Sequence, residues 1–353
     1  MAGPGRSPPR DIGEGASGRH RAARRPGRGG LSLSQESLPE LDVSLVAERH
    51  EALRAAIGRV LVGQTEAVRL AFLTLVCSGH ALLEGAPGVG KTLLVRTLSR
   101  ALGVRFGRVQ FTPDLMPSDV IGTPILDRQT QEVRFREGPL FTDLLLADEI
   151  NRAPAKTQAA LLEAMQERAA TVDGTSHDLG RYFTVFATQN PVEQEGTYPL
   201  PEAELDRFLF KVVIDYPEED EERALLALHH VSVVPGPSEP VLTPEALDRV
   251  RAVVDRVIVR DEIIGYVASL VRATRDDVHF ALGASPRAGL MLLRAAKAQA
   301  AVSGRDYVLP EDVQQAWLPA LRHRVLLDPA AEVEGLTPDE ALGRVQRGVA
   351  VPR

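Results

Sequence analysis

The sequence predicts an α/β protein in which a parallel sheet is followed by a C-terminal all-α domain. Short apolar runs alternate with helical segments in the first part of the chain, at about 81–84, 104–111, 143–147, 183–188 and 209–214. Such alternation is typical of a parallel sheet with helices on both faces. After residue 216 the strand signal stops, and helical patterning continues at 244–257, 261–275, 285–302 and 310–321.

Further helices and two hairpins complete this outline. Apolar periodicity predicts helices outside the alternating region at 43–54, 55–62, 66–76 and 218–230. Turn residues between apolar runs predict one β-hairpin within 121–136 and another around Asp173-Gly174. The hairpin within 121–136 would project from the parallel sheet.

Composition divides the 353 residues into three parts. Residues 1–40 begin with a stretch rich in arginine, glycine and proline, which buries too little apolar surface to fold, so we expect a disordered tail. Residues 41–230 contain the α/β pattern and residues 241–353 the helical pattern, with a turn-rich linker at 234–240. The sequence therefore predicts a tail and two folded domains.

Charge and hydropathy narrow the classes of partner. Residues 1–30 carry a formal charge of +5, so the rest of the chain carries −7 − 5 = −12. A body this acidic is a poor nucleic-acid binder. No apolar run approaches the roughly 18 residues that cross a bilayer, so we expect a cytoplasmic protein without a membrane span. The single cysteine, Cys77, lies in an apolar run and is expected to be a packing residue.

Residues 85–92 read GAPGVGKT and match the phosphate-binding pattern G-x-x-x-x-G-K-[ST]. The match has the required context, since an apolar strand precedes it and a helix follows. The glycines let backbone N–H groups turn toward phosphate oxygens, and the helix N-terminus adds partial positive charge. Lys91 would contact the β- and γ-phosphates, and Thr92 would bind Mg²⁺. This loop predicts a nucleoside-triphosphate site.

Asp148 and Glu149 end the apolar run Leu144 to Ala147. Ligands bind outside the carboxyl ends of strands in open α/β sheets, so both carboxylates would face the phosphate loop. We expect Asp148 to hold the Mg²⁺ shell and Glu149 to deprotonate the attacking water. Alone, the pair would equally suit the cap of a following helix.

Two later segments offer further polar groups. Asn190, with Gln189 as the alternate, follows a third apolar strand and would hydrogen-bond the γ-phosphate or the water, although an asparagine before proline is also an ordinary turn residue. Arg207 precedes the last strand and would stabilise charge in a phosphoryl-transfer transition state or, alternatively, pair with Asp206 or Glu204. Position along the chain does not decide between these roles.

Together these motifs resemble the AAA+ ATPases, and within them the MoxR family, over residues 41 to about 345. The loop at 85–92 and the run LLLADEINRAPAKTQAALLEAMQE at 144–167 match the family pattern. Four shorter stretches match it too, namely FTPDLMPSDVIG at 111–122, ATQNP at 187–191, EAELDRF at 202–208 and SPRA at 285–288. The resemblance implies an AAA+ core with a helical lid domain.

The resemblance also implies roles for single residues. Glu149, Asn190, Arg207 and Arg287 would be catalytic, with Arg207 acting on a neighbour's ATP and Arg287 on the γ-phosphate of its own subunit. Gln110 would hold Glu149 in an unproductive pose. Asp148 and Thr92 would bind Mg²⁺. The ATP-binding residues implied are Val62, Gly63, Gly85, Ala86, Pro87, Gly88, Val89, Gly90, Lys91, Thr92 and Leu93.

At the level of function, the resemblance implies an ATP-driven remodelling ATPase that uses ATP and Mg²⁺ in a hexameric ring. It would act on a protein client with a separate von Willebrand A-domain partner. A nucleotide-gated assembly switch or scaffold with slow hydrolysis would use the same residues, and a chelatase-type ATPase subunit shares the same core. The acidic body disfavours a nucleic-acid-acting member.

Overall fold

The computed structural model describes residues 42–126, 129, 131–191, 196–229, 236–237 and 239–352. Its elements are numbered along the chain. The strands are β1 (Ala81–Glu84), β2 (Phe106–Gln110), β3 (Gly122–Leu126), β4 (Val133–Glu137), β5 (Leu144–Asp148), β6 (Ala169–Val172), β7 (Thr175–Asp178), β8 (Thr184–Gln189), β9 (Phe210–Val213), β10 (Phe280–Leu282) and β11 (Leu326–Leu327).

The helices surround the sheet and build the C-terminal part. They are α1 (Ser44–Gly58), α2 (Thr65–Val76), α3 (Lys91–Leu102), α4 (Pro117–Ile121), α5 (Ala155–Glu167), α6 (Glu202–Leu205), α7 (Glu219–His229), α8 (Pro244–Asp255), α9 (Asp261–Asp276), α10 (Pro286–Val302), α11 (Pro310–Leu321), α12 (Pro329–Val333) and α13 (Pro338–Gly348).

Five strands form the central sheet in the order β2-β5-β8-β1-β9, and every neighbouring pair is parallel. The predicted parallel α/β sheet is therefore confirmed. Side chains alternate between its two faces, so Leu144 and Leu146 join one hydrophobic core while Leu145 and Ala147 join the other. Burial on both faces explains why the strands are continuous apolar runs in the sequence.

The two predicted hairpins are present. β3 pairs with β4, and β6 pairs with β7, both antiparallel. Asp173 and Gly174 both have positive φ, at 48° and 78°. A two-residue turn of this kind matches the twist of its flanking strands, which is why Asp-Gly predicts it well.

The C-terminal region follows the predicted helices and adds elements that the sequence did not reveal. Its helices α8 to α11 lie where the pattern placed them. The strands β10 and β11 pair antiparallel within this otherwise helical region. They are only three and two residues long, which is too short for a periodic signal.

The N-terminal helices differ from the prediction. Residues 44–58 form one helix where two were expected, because no breaker separates Arg54 from Ala55. Residues 234, 235 and 238 of the expected linker lie outside the described residues, and so does the whole of the expected tail at 1–40. Within the described ranges, no helix is long and apolar enough to span a membrane.

Cys77 is a packing residue, as predicted. Its side chain is buried in the core beside α10, and its thiol contacts the carbonyl oxygen of Arg294 at 3.6 Å. Burial raises the pKa of the thiol to about 12. A thiol this hard to ionise is a poor nucleophile.

His80, directly before β1, is buried and bonded through both ring nitrogens. Its Nδ1 accepts the backbone N–H of Val185 at 2.9 Å, so its Nε2 carries the proton and donates to the carbonyl oxygen of Met165 at 3.1 Å. Burial lowers the pKa of His80 to about 4, with the charge of Arg168 as a further cause. The ring is therefore held neutral and in one tautomer.

This arrangement predicts acid sensitivity. The unfolded chain binds a proton at His80 near pH 6.5 and the folded chain only near pH 4, so unfolding is favoured as the pH falls through that window. The full effect is about 3 kcal/mol. We expect His80→Gln to flatten the dependence of the unfolding free energy on pH between 7 and 4, measured by urea denaturation. Equal acid sensitivity in the variant and the parent would contradict it.

Candidate functional site

The phosphate loop lies between β1 and α3, at the carboxyl edge of the sheet. Gly88 and Gly90 have φ of +85° and +93°, a conformation that a residue with a Cβ adopts only with strain. A Cβ on Gly85 would collide with the carbonyl oxygen of Ile214. Each of the three glycines in the motif is thus required by the backbone.

Lys91 opens α3 and curls back over the loop. Its Nζ donates to the carbonyl oxygen of Gly85 at 2.5 Å, with the carbonyl oxygens of Ala86 and Gln189 each at 3.4 Å. Thr92 follows it in the first turn of the helix. Lys91 and Thr92 therefore both line one cleft, which has a volume of about 470 Å³.

Asp148 also lines this cleft and is only 8% exposed. Thr188 on the adjacent strand β8 donates from Oγ1 to Asp148 Oδ1 at 2.7 Å and accepts the backbone N–H of Glu149 at 2.8 Å. Arg108 on β2 donates from Nη2 to Asp148 Oδ2 at 2.8 Å. One buried hydroxyl thus orients both acidic residues.

Glu149 turns out of the strand in a left-handed conformation, with φ of 56°. Its Oε2 accepts a hydrogen bond from Gln110 Nε2 at 2.6 Å and lies 3.2 Å from Nε of Arg152. The contact between Gln110 and Glu149 that the resemblance implied is therefore present. Strain at a residue of this kind is a mark of functional sites.

The remaining predicted nucleotide-binding positions lie at or near the cleft. Asn190 lines it and is 6% exposed, whereas Gln189 contributes its carbonyl oxygen to Lys91. Val62 and Gly63 are not in its lining, but the adjacent Leu61 packs against the phosphate loop, where its Cδ1 would lie 2.7 Å from a Cβ on Gly90. The structure thus brings these segments together at one edge of the sheet.

Arg207 and Arg287 lie elsewhere, in a second cavity of about 380 Å³. This cavity is lined by Gly79 and His80, which precede β1, and by Leu209, which precedes β9. It therefore opens at the amino edge of the sheet. β1 and β9 each have four residues, which at about 3.3 Å per residue separates the two edges by roughly 13 Å.

The placement of Arg287 differs from the role that the resemblance implied. We expected Arg287 to contact the γ-phosphate of its own subunit, yet it shares the amino-edge cavity with Arg207 and not the cleft of the phosphate loop. The sheet stands between Arg287 and that cleft. The sequence could not show this, because the position of a lid helix depends on long-range packing.

Side-chain contacts link the segment that carries Arg207 to the helix that carries Arg287. Arg207 pairs with Glu204 at 3.1 Å, one of the two partners considered from the sequence. The other, Asp206, instead pairs with the buried Arg324 at 2.7 Å and accepts from the hydroxyl of Ser285, the cap of α10, at 3.3 Å. Burial lowers the pKa of Arg324 to about 10. Asp206 therefore joins the segment of Arg207 to the helix of Arg287.

Two residues of the cleft were missed by sequence reasoning. Thr188 resembles any β-branched strand residue, and Arg108 resembles an ordinary charged side chain on an edge strand. The sequence did hold one signal for Thr188, since the apolar run from Val185 to Ala187 ends at it.

The chemistry of the cleft fits a nucleoside triphosphate with Mg²⁺. Mg²⁺ prefers one or two carboxylates together with substrate phosphates to an all-protein cage. Asp148 offers such a carboxylate in the cleft that Thr92 also lines, and the described residues contain no cluster of three or more histidine, cysteine, aspartate or glutamate ligands. The glycine loop and Lys91 supply the donors that phosphates need.

Comparison with known proteins agrees with this site. Residues 80–210 match the family described as the ATPase family associated with various cellular activities (AAA), and residues 272–345 match the AAA lid domain. Chaperone MoxR1 of Mycobacterium tuberculosis is 43% identical, over 93% of this chain and 89% of that protein. Protein MoxR of Paracoccus denitrificans is 32% identical, over 82% and 93%.

A further relative and a solved structure extend the comparison. YeaC, an uncharacterised protein of Bacillus subtilis, is 46% identical, over 84% of this chain and 92% of its own. A crystal structure of a proposed ATPase from Cytophaga hutchinsonii superposes with a TM-score of 0.82 at 37% identity, covering 88% of this chain and 97% of the other.

The position of Thr188 predicts a strong effect on turnover. Thr188→Val keeps the shape but removes the hydrogen bonds to Asp148 and to the N–H of Glu149. A hydrogen bond to a charged group is worth about 1.5–3 kcal/mol, so we expect steady-state ATP turnover to fall by roughly 10- to 100-fold. Thr188→Ser retains the hydroxyl and should stay near the parent. Parental turnover in a folded Thr188→Val protein would refute this role.

Proposed function

The chain belongs to the MoxR family of AAA+ ATPases, and on that basis we propose that it hydrolyses ATP at the subunit interfaces of a ring to remodel, mature or regulate a protein client. ATP hydrolysis is its enzymatic activity, with the phosphate loop and the acidic pair on one edge of the sheet. We further propose how the site is completed and what the energy of ATP hydrolysis is used for.

One observation carries the proposal of a ring. Arg207 and Arg287 lie at the amino edge of the sheet, away from the phosphate loop of their own subunit. Arg287 and Arg294 have no ion pair or side-chain hydrogen bond within the part of the chain that is described. Cationic side chains grouped around one cavity are stabilised by an anion, and a neighbour's triphosphate supplies one. Head-to-tail contacts of this kind close into rings, and the family implies six subunits.

Each residue of the cleft then has a task. The loop N–H groups and Lys91 bind and orient the phosphates, while Asp148 and Thr92 hold Mg²⁺, which would neutralise charge on the phosphates. Glu149 accepts the proton of the attacking water, and Asn190 orients that water or the γ-phosphate. Arg207 and Arg287 stabilise the transition-state charge from the adjacent subunit, in place of the same-subunit role first expected for Arg287.

The client and partner are proposed from the surface and the family. The hairpin of β3 and β4 carries the exposed apolar side chains of Ile125, Leu126 and Val133, which are 44%, 57% and 69% exposed. Exposed apolar groups on a projecting hairpin suit contact with a protein client. We propose a von Willebrand A-domain protein as a separate partner and a cytoplasmic location.

A slow, nucleotide-gated assembly switch is a second candidate. It is favoured by the hydrogen bond from Gln110 and the ion pair with Arg152, which together hold the carboxylate of Glu149. While the Glu149 carboxylate is held in this way, ATP hydrolysis is slow, and it becomes faster once the carboxylate is released. Turnover that rises when the partner and client are added favours remodelling, whereas assembly without stimulated turnover favours the switch.

Mixing two inactive variants tests the shared site. Glu149→Gln lacks the base and Arg207→Ala lacks the arginine, so each alone should lose at least about 10³-fold in turnover. In a random equal mixture, half of the intact bases face an intact arginine, so about one quarter of the interfaces regain activity. We expect the same recovery when Arg287→Ala replaces Arg207→Ala. The measurement is ATP turnover of the assembled mixtures.

A surface arginine provides the control. Arg181 is exposed and pairs with Asp248 at 2.7 Å, so Arg181→Ala should turn over ATP at the parental rate. If the mixtures co-assemble on a sizing column and regain nothing, the arginines do not act across an interface and the proposed ring site is wrong.

A further inference from the structure

Arg108 lies in the nucleotide cleft, where it contacts both acidic residues, one directly and one through Gln110. Its Nη2 and Nε donate to Asp148 Oδ2 at 2.8 and 3.2 Å. The same Nη2 donates to Gln110 Oε1 at 3.0 Å. Gln110 Nε2 then donates to Glu149 Oε2 at 2.6 Å. A continuous chain of hydrogen bonds thus joins the metal-binding carboxylate to the base.

Arg108 and Glu149 hold the Gln110 side chain from its two ends. A glutamine amide has one accepting end and one donating end. Arg108 is a pure donor and binds the oxygen of Gln110, while the carboxylate of Glu149 is a pure acceptor and takes a hydrogen bond from the nitrogen. Without Arg108 the amide loses one of these two partners, so the hold of Gln110 on Glu149 is weakened.

Asp148 has both oxygens engaged. Thr188 donates to Oδ1 from inside the sheet and is 1% exposed, whereas Arg108 donates to Oδ2 from the edge strand with half of its side chain exposed. A Mg²⁺ ion or its bound water needs one of these oxygens. Arg108 is the donor that can leave, because it faces the open cleft.

We propose that Arg108 is a positioning residue that couples metal binding at Asp148 to the release of Glu149. This inference rests on the proposed function, since it concerns the same ATP site. Arg108 yields Oδ2 to the metal shell, and its new anionic neighbours are the phosphates. Its hold on Gln110 Oε1 is then lost, the Gln110 amide is free to turn, and Glu149 becomes available to the water. Hydrolysis is thereby restricted to the metal-loaded site.

The first test measures metal dependence of binding and not activity. A fluorescent β,γ-imido analogue of ATP is titrated into the full chain with and without Mg²⁺. In the parent, Arg108 competes with the metal for Asp148, so Arg108→Ala should increase the Mg²⁺-induced gain in affinity. The expected increase is about two- to fivefold, the range that a half-exposed ion pair supports.

Arg105 offers a matched control on the same pair of strands. It precedes β2 and pairs with Asp143 at 3.2 Å at the other end of the strands, outside the lining of the cleft. Arg105→Ala should leave the Mg²⁺ gain unchanged. If Arg108→Ala weakens binding equally with and without Mg²⁺, then Arg108 only binds phosphate and the coupling is refuted.

ATP turnover of three further variants tests the second step of the coupling, which runs from Arg108 through Gln110 to Glu149. Gln110→Ala and Arg108→Ala should both raise basal ATP turnover, and the double variant should show no further increase, because both release the same carboxylate. Arg108→Lys keeps a cation for Asp148 but not the two-pronged guanidinium. It should restore the parental Mg²⁺ gain while basal turnover stays raised. Additive effects of the two alanine variants would overturn the proposal.

These measurements distinguish failure of the proposed function from failure of the coupling through Arg108. If the parent protein neither binds the analogue nor hydrolyses ATP, the proposed function itself is wrong. If the parent binds and hydrolyses normally while Arg108→Ala keeps the parental Mg²⁺ gain, only the coupling is wrong.

Discussion

The polarity of the parallel sheet is the constraint on which the rest of this site depends. All five strands point the same way, so the loops that follow them gather at one edge and the segments that precede them gather at the other. Glu149 follows β5 and Arg207 precedes β9. With four-residue strands the two groups cannot meet around one phosphate within a subunit. The proposed head-to-tail contact with a second copy of the chain would solve this geometric problem.

Within the cleft, the hydrogen-bond donors to Asp148 and Glu149 stabilise these two acidic residues and also restrict their movement. Thr188 is buried inside the sheet and holds the carboxylate of Asp148 and the backbone N–H of Glu149. Arg108 and Gln110 lie on the edge strand β2, where a side chain has room to leave. Position in the sheet thus explains why Thr188 is a fixed hydrogen-bond donor to Asp148 and Arg108 an exchangeable one. An edge strand beside the acidic pair therefore gives the protein a way to control its own base.

The sequence predicted what depends on local pattern and missed what depends on distant packing. Apolar runs, glycines and the Lys-Thr pair located the sheet and the phosphate loop, because their physical signals lie within a few residues. Thr188 was missed because a strand hydroxyl carries no periodic signal. The expectation that Arg287 contacts the γ-phosphate of its own subunit does not fit its place at the amino edge of the sheet. That place depends on how α10 packs.

The contacts of Asp206 show why the lid matters to chemistry at a distance. Asp206 pairs with Arg324 of the lid and accepts from Ser285, so the two arginines at the amino edge belong to different parts of the fold but share one anchor. Arg324 is almost fully buried, and removing either partner would leave a charge in a poorly solvated place. A change in lid position that moves Arg287 relative to Arg207 would also disturb the pair of Asp206 and Arg324. The lid and the core are thus coupled where the neighbouring nucleotide would be sensed.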